Sequence, residues 1–393
     1  MHTRSIAPII ATAALALLSA AASQAQPAPS APRGDVVRAI AAPRHPLPEE
    51  ADSAGITRFS FIAYGDTRGR QDGVALQYEH SLVVDSMVAT ITRLETTDYP
   101  VRFVLQSGDA VVDGRDARQW NRSFVEIIDR LTAGAGVPYF LAPGNHDLTS
   151  AASLSSPGRL AGLENYLDAV AQLIPPVGAS RRLAGYPTYA FGYGNAFVLA
   201  IDSMIAADDT QFDWVQAQLD GLDRRRYAHV FAFFHHPLFS SGPHGGPTLE
   251  PATAAVRARY EPLFRRHHVR LTITGHDHLF EHWVERYQDA AGVPYRMDHV
   301  VTGGGGAPIY AYQGEPDLGE FLAAGAAEKV QLEHLVKPSA DTADTPHHYV
   351  VVRVDGEDIS LEVIGVDPGE DFRPYRSDRL FIGAVDPKPS LPD

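Results

Sequence analysis

The fold this sequence predicts is an α/β domain of two packed sheets with helices outside. In the first half, apolar runs of strand length alternate with stretches of helical spacing, whereas from Trp283 onward several strand-like runs follow with few helices between them. Both faces of each sheet need cover, and two stacked sheets with outer helices supply it. A third observation places the chemistry. Five short polar segments stand at the ends of apolar runs, and in sheets built from βα units ligands collect at the carboxyl ends of strands.

In chain order, Phe59 to Tyr64 reads as a buried strand ending at Gly65-Asp66-Thr67-Arg68, and Tyr78 to Thr97 has helical spacing. Val101 to Leu105 is a second strand running into Gly108-Asp109. A helix from Ala117 to Thr132 follows, and Val137 to Leu141 then leads to Gly144-Asn145-His146-Asp147. Thr188 to Phe191 and Ala196 to Ile201 form a hairpin, joined by Gly192-Tyr193-Gly194-Asn195 with the glycines a tight turn requires. A helix from Gln211 to Arg226 precedes strand Ala228 to Phe234, which ends at His235-His236-Pro237. Helix Ala252 to His267 then precedes strand Val269 to Thr274, which ends at Gly275-His276-Asp277-His278. Trp283 to Tyr287 and Tyr295 to Thr302 are further strands. Tyr349 to Val354 and Ile359 to Val366 close the domain as a hairpin around Asp355-Gly356, and Glu315 to Pro346 reads as an insertion.

The ends of the chain differ from this pattern. Met1 to Ala25 carries His2 and Arg4, a short Ala-rich apolar run and Ser23-Gln24-Ala25, the signature of a secretory signal peptide cleaved after Ala25. Residues 26–56 are crowded with Pro and Ala and read as an extended spacer; the domain is expected over 57–366, with a tail over 367–393. The expected address is therefore the periplasm or the exterior, with no membrane anchor after cleavage. With 45% hydrophobic residues, the 393-residue chain can bury a large core. It contains no cysteine, which excludes disulfides, thiolate metal sites and a catalytic thiol. A formal net charge of −15 argues against a nucleic-acid polymer as partner and leaves a small phosphorylated substrate as the expected one.

Asp, Asn and His side chains delivered by loops suit hard or borderline divalent ions, and two such ions side by side drive phosphate-ester hydrolysis. A Gly-Asp pair after a strand is by itself an ordinary turn. The Gly144-Asn145-His146-Asp147 run is more specific, because Asn ligates through its carbonyl oxygen, the next His reaches substrate, and Asp147 is expected to orient that His. Gly303-Gly304-Gly305-Gly306 lacks the Gly-Lys-Ser/Thr of a phosphate cradle and reads as a tight turn beside the site.

Asp, Gly-Asp, Gly-Asn-His-Asp, His-x-Pro and Gly-His-x-His, in this order, resemble the calcineurin-like metallophosphoesterase superfamily. Within it the sequence is most similar to the small purple acid phosphatases. The resemblance implies an αββα sandwich and two divalent ions, with iron, manganese and zinc equally suited to the donors. It implies that Asp109 bridges the ions and that Asn145, His235 and His276 complete one site. Asp66 and His278 belong to the other. His235 is chosen over His236 because the ligand in the pattern stands two residues before Pro.

The pattern is broken at two positions. Where the family places a His or a Tyr as the last ligand of the second site, this chain has Arg68 and Val112, neither of which can hold a cation. Ferric, tyrosinate-dependent character is therefore not carried over. Water, the preferred reading, or a nearby carboxylate such as Asp113 is left to complete that site; the alternative is a second ion that binds weakly. Arg68 is open to two roles, a phosphate clamp or a structural ion pair. His146, with Asp147 behind it, is expected to stabilise the phosphoryl group or protonate the leaving group, and His244 resembles a second active-site His, though a plain loop His fits as well. The activity implied is exported hydrolysis of phosphate monoesters. The alternatives are a phosphodiesterase acting on nucleotides or lipid headgroups, and a noncatalytic metal- or phosphate-binding protein.

Overall fold

The computed structural model describes residues 36–69, 77–148 and 154–366. The signal peptide, the first part of the spacer and the expected tail lie outside these residues. The strands are β1 (Arg58–Tyr64), β2 (Val101–Gln106), β3 (Tyr139–Leu141), β4 (Tyr189–Tyr193), β5 (Ala196–Ala200), β6 (His229–Phe233), β7 (Leu271–Thr274), β8 (Phe280–Gln288), β9 (Pro294–Thr302), β10 (Gln331–Val336), β11 (His347–Asp355) and β12 (Asp358–Val366). The helices are α1 (Tyr78–Leu94), α2 (117–135, with π-type turns over Trp120–Val125 and Arg130–Ala135), α3 (Asn145–Leu148), α4 (Pro157–Ala169), α5 (Asp209–Asp220), α6 (Pro251–Arg266) and α7 (Gly319–Ala324).

The strands form two mixed sheets, ordered β12-β11-β1-β2-β3 and β10-β8-β9-β7-β6-β5-β4. In the first, β1, β2 and β3 are parallel; in the second, β5, β6, β7 and β9 are parallel. Aromatic rings join the sheets across the interior: Phe61 lies 5.3 Å from Phe231, and Phe140 stacks on Phe191 at 4.0 Å. Each such ring contributes roughly 2–3 kcal/mol through burial. Along β6, Phe231 and Phe233 point into this core, while Val230 and Ala232 point the other way into a second cluster with Val215 and Leu219 of α5 and Val256, Tyr260 and Phe264 of α6. On the opposite side α1 packs over β11, where the Tyr349 hydroxyl bonds Thr90 at 2.8 Å. The result is the helix–sheet–sheet–helix stack the sequence predicts.

Local chemistry sets the helix limits. The Ser156 side chain caps α4 ahead of Pro157, and Asp208 caps α5 by accepting from the Gln211 amide at 2.8 Å. α5 ends at Asp220, short of the expected Arg226. Beyond Gly221, Asp223 accepts the Arg225 amide on its side chain and the Arg226 and Tyr227 amides on its carbonyl, and this turn replaces another helical one.

Two parts of the predicted organisation are corrected. Residues 36–56 form no helix or strand, yet they are part of the folded body rather than a spacer. Ile40 is fully buried with its amide on Ala169, and the Glu50 carboxylate takes Arg181, the Tyr227 hydroxyl and the Gly192 amide. Proline prevents regular structure there without preventing packing. The stretch read as an insertion, 315–346, supplies β10, which pairs with β8 and stacks His334 on Trp283 at 3.7 Å. Its exposure alternates along the strand, but the apolar pattern is broken because His334 is turned inward and Leu335 outward. Among the described residues no helix is long and apolar enough to cross a membrane.

Burial holds His229 and His348 neutral, each lowered to about 4. Each donates through one ring nitrogen to a carbonyl, Gly356 and Pro346 respectively, and its other nitrogen has no partner among the described residues, so a second proton would be a buried donor without an acceptor there. Unfolded histidine takes up that proton below its ordinary 6.5, so the stability these two provide is complete above pH 6.5 and is lost as pH falls toward 4. Urea unfolding at pH 7 and pH 5 is expected to show a loss on the order of 2 kcal/mol per histidine.

Candidate metal centre

All five polar segments follow carboxyl ends of strands that run parallel, three from one sheet and two from the other. β1 ends before Asp66, β2 before Asp109, β3 before Asn145, β6 before His235 and β7 before His276. Three of these residues turn sharply out of their strands in the left-handed region: Asp66 at φ 59°, Asp109 at φ 55° and His276 at φ 69°. Non-glycine residues rarely adopt this conformation, and it clusters where the surrounding structure holds a side chain on target. The glycines before Asn145 and His276 are needed for contact. A Cβ on Gly144 would overlap the Asp109 carboxylate, and one on Gly275 the Asp66 carboxylate.

The strand ends are stitched to one another. Asp66 donates its amide to the Gly108 carbonyl at 3.0 Å, Gly275 to His235 at 3.0 Å, and Gly305 to Gly65 at 2.9 Å. The glycine run at 303–306 thus binds backbone to backbone beside the centre. Asp147 is buried and does not orient His146. It accepts the amides of Ala110 (2.9 Å), Val111 (3.3 Å) and Gly144 (2.8 Å), which joins the Asp109 loop to the Asn145 loop. His146 is oriented by a carbonyl, its Nδ1 lying 2.8 Å from Val112 O. Side-chain neighbours in sequence point apart on the first turn of α3, which is why adjacency misled. Burial, with Asp109 adding to it, pushes the Asp147 carboxyl up to about 8.

Asp109, Asn145, His235 and His276 come together. His235 donates through Nδ1 to Ser107 O at 3.0 Å, and His276 through Nε2 to Glu250 at 2.9 Å. The lone pairs on His235 Nε2 and His276 Nδ1 therefore face each other at 3.1 Å, with Asn145 Oδ1 at 2.8 Å and Asp109 Oδ1 at 3.4 Å from the same Nε2. Three acceptors thus surround His235 Nε2, and Asp66, Asp109 and His235 have ligand atoms within 4.8 Å of one another, donors that suit a divalent cation. Burial lowers His235 to about 3, keeping it a neutral ligand. Burial works to raise Asp109, whereas the charge of Arg68 and the His146 amide work to lower it. The residues present fit a metal ion here.

On the other side of Asp109 stand Asp66 and His278, with His278 Nε2 3.5 Å from Asp66 Oδ1. Burial first, then the charge of Asp109, push Asp66 well above the carboxylate range. Arg68 lies among them, its Nε 3.1 Å from Asp109 Oδ2. Val112 brings no side-chain donor, and Asp113 is turned outward onto Arg115 at 2.7 Å, so it does not complete this site. His244 reaches the centre's edge, its ring 4.3 Å from that of His276. His236 bonds Ser203 through Nδ1 at 2.9 Å, yet its ring lies 4.4 Å from that of His276, and His236, Glu250 and His276 have ligand atoms within 4.8 Å of one another.

Two residues here were not read from the sequence. Glu250 carries His276 on one oxygen and His244 on the other at 2.6 Å, and His276's bond, then His244's, hold it down at about 2. It stands at the N-cap of α6, directly before Pro251. Tyr310 stacks on His278 at 4.2 Å; nothing in the pattern separates it from other loop aromatics.

The fold and these donors define a metal-binding α/β sandwich whose centre lies where two sheets end. A calcineurin-like phosphoesterase family model matches residues 84–280, about half the chain, and the chain belongs to that family. The match begins after Asp66 and Arg68, which join the centre through the fold. Over 123 residues, 30% of the chain, it is 27% identical to purple acid phosphatase 18 of Arabidopsis thaliana and spans 26% of that protein. It also resembles the structure of a purple acid phosphatase from yellow lupin (Lupinus luteus) seeds, with a TM-score of 0.58 at 17% identity, covering 85% of this chain and 54% of that one. The chain thus spans about a quarter to half the length of these relatives.

Asp147→Ala is expected to strip buried amides of their acceptor, at ~1–3 kcal/mol for each one left unpaired. It should lower metal retention as well as stability, measured by urea unfolding and elemental analysis. A side chain that merely oriented His146 would change the rate alone.

Proposed function

We propose that this protein is an exported metal-dependent phosphatase that hydrolyses small phosphate monoesters. The observation that carries the reading is the set of proton-free acceptors from Asp109, Asn145, His235 and His276 at the strand ends. An ion held there would supply Lewis acidity and a water acidic enough to attack phosphorus near neutral pH.

The chain's own groups provide the rest. Arg68, His146 and His244 border the centre and are all partly accessible, a concentration of donors suited to the two charges of a terminal phosphate. Because His146 gives its Nδ1 proton to Val112 O, its Nε2 is the nitrogen free to work, and it lies 4.0 Å from Asp109. When that nitrogen carries a proton, it can pass it to an alkoxide leaving group. Glu250 keeps His244 and His276 in their orientations. Export is supported by the charged start, apolar run and small-x-small site over Met1 to Ala25. The net charge of −15 supports a small substrate over a polyanion.

Turnover of p-nitrophenyl phosphate is expected to exceed that of bis-p-nitrophenyl phosphate; the reverse preference would make the protein a phosphodiesterase, and no turnover with any divalent ion a binding protein. In His146→Ala, metal content should persist while the rate falls ~10²–10⁴-fold, the range of a positioned acid. An unchanged rate removes His146 from the reaction.

A further inference from the structure

We infer that the guanidinium of Arg68 is the resident cation of the second site, so this chain holds one divalent ion where its family's centre holds two. The inference rests on the metal-dependent reading above and concerns how the charge is supplied.

The two sides of Asp109 differ in their protons. At the first site the facing atoms are lone pairs with nothing to share. At the second, His278 donates through Nδ1 to Pro308 O at 2.8 Å, which leaves the Nε2 lone pair facing inward, and that lone pair is met by Arg68 Nη2 at 3.4 Å. The same guanidinium bonds the outer oxygen of Asp109 through Nε at 3.1 Å. Two of the three groups that would hold a second ion are therefore already satisfied by one side chain.

The arm cannot easily leave. The Arg68 amide is fixed to the Asp109 carbonyl at 3.1 Å, and its side chain is 18% exposed. A guanidinium keeps its charge and has no lone pair to offer a metal. An ion placed between Asp66, Asp109 and His278 would meet that charge at contact range in a buried pocket. Position 112 adds no ligand either, because Val112 has no donor atom in its side chain and its carbonyl is taken by His146. With Arg68 in place, the second site has a fixed positive charge, and guanidinium N–H groups not committed to Asp109 and His278 can bind a phosphate oxygen as a planar donor.

The test is metal stoichiometry of the purified protein, loaded with manganese or zinc and freed of excess, alongside turnover of p-nitrophenyl phosphate and its bis-ester. Wild type is expected to retain about one ion per chain and Arg68→His, which puts an imidazole where the guanidinium stands, about two. Two ions in wild type, or one in both proteins, overturns the inference. Should Arg68→His not fold, wild type decides alone. At saturating manganese it should give the six-line electron paramagnetic resonance spectrum of an isolated ion, whereas a spin-coupled pair overturns the assignment. Two ions with turnover would sink this inference and leave the phosphatase reading intact; one ion with no turnover of either ester would do the opposite.

Discussion

The buried charge of Asp109 is the constraint on which the centre depends. Its carboxylate lies out of water between the ends of two sheets, where an uncompensated charge would cost several kcal/mol. Its oxygens are met by the His146 amide, the Arg68 guanidinium and the first metal site. Each partner comes from a different loop, so satisfying this one group fixes the relative positions of β1, β2, β3 and β6. Asp147 secures the same junction from behind through backbone amides alone.

The left-handed turns at Asp66, Asp109 and His276 express the same requirement. An unstrained continuation of β1, β2 or β7 would carry these side chains past the sheet ends. The conformational cost of turning them is met by hydrogen bonds between neighbouring loops, and the glycines at 144 and 275 leave room for carboxylates to lie against backbone. Binding chemistry here is therefore built into the way strands terminate.

The two halves of the centre are unequal in a way composition could not reveal. Both contain carboxylate and imidazole, and both look like metal sites when their residues are counted. Hydrogen-bond directions separate them: on one side tautomers set by Ser107 and Glu250 leave lone pairs facing each other, and on the other the lone pair of His278 is already taken by an N–H of Arg68.

By itself the sequence determined most of the strands along the chain, the sandwich and the segments that meet, because apolar periodicity and strand-ending glycines act over a few residues and survive in one dimension. The departure at Arg68 and Val112 was legible too, since it is a matter of which atoms a side chain has. Only the tertiary structure decided that Asp147 braces a loop rather than a histidine, that Glu250 joins His244 to His276, that residues 36–56 pack, and that 331–336 closes a sheet edge. Each of these is a contact between residues far apart in the chain, or a choice between two directions for one side chain. Such choices are fixed by where neighbouring loops place their hydrogen-bonding groups.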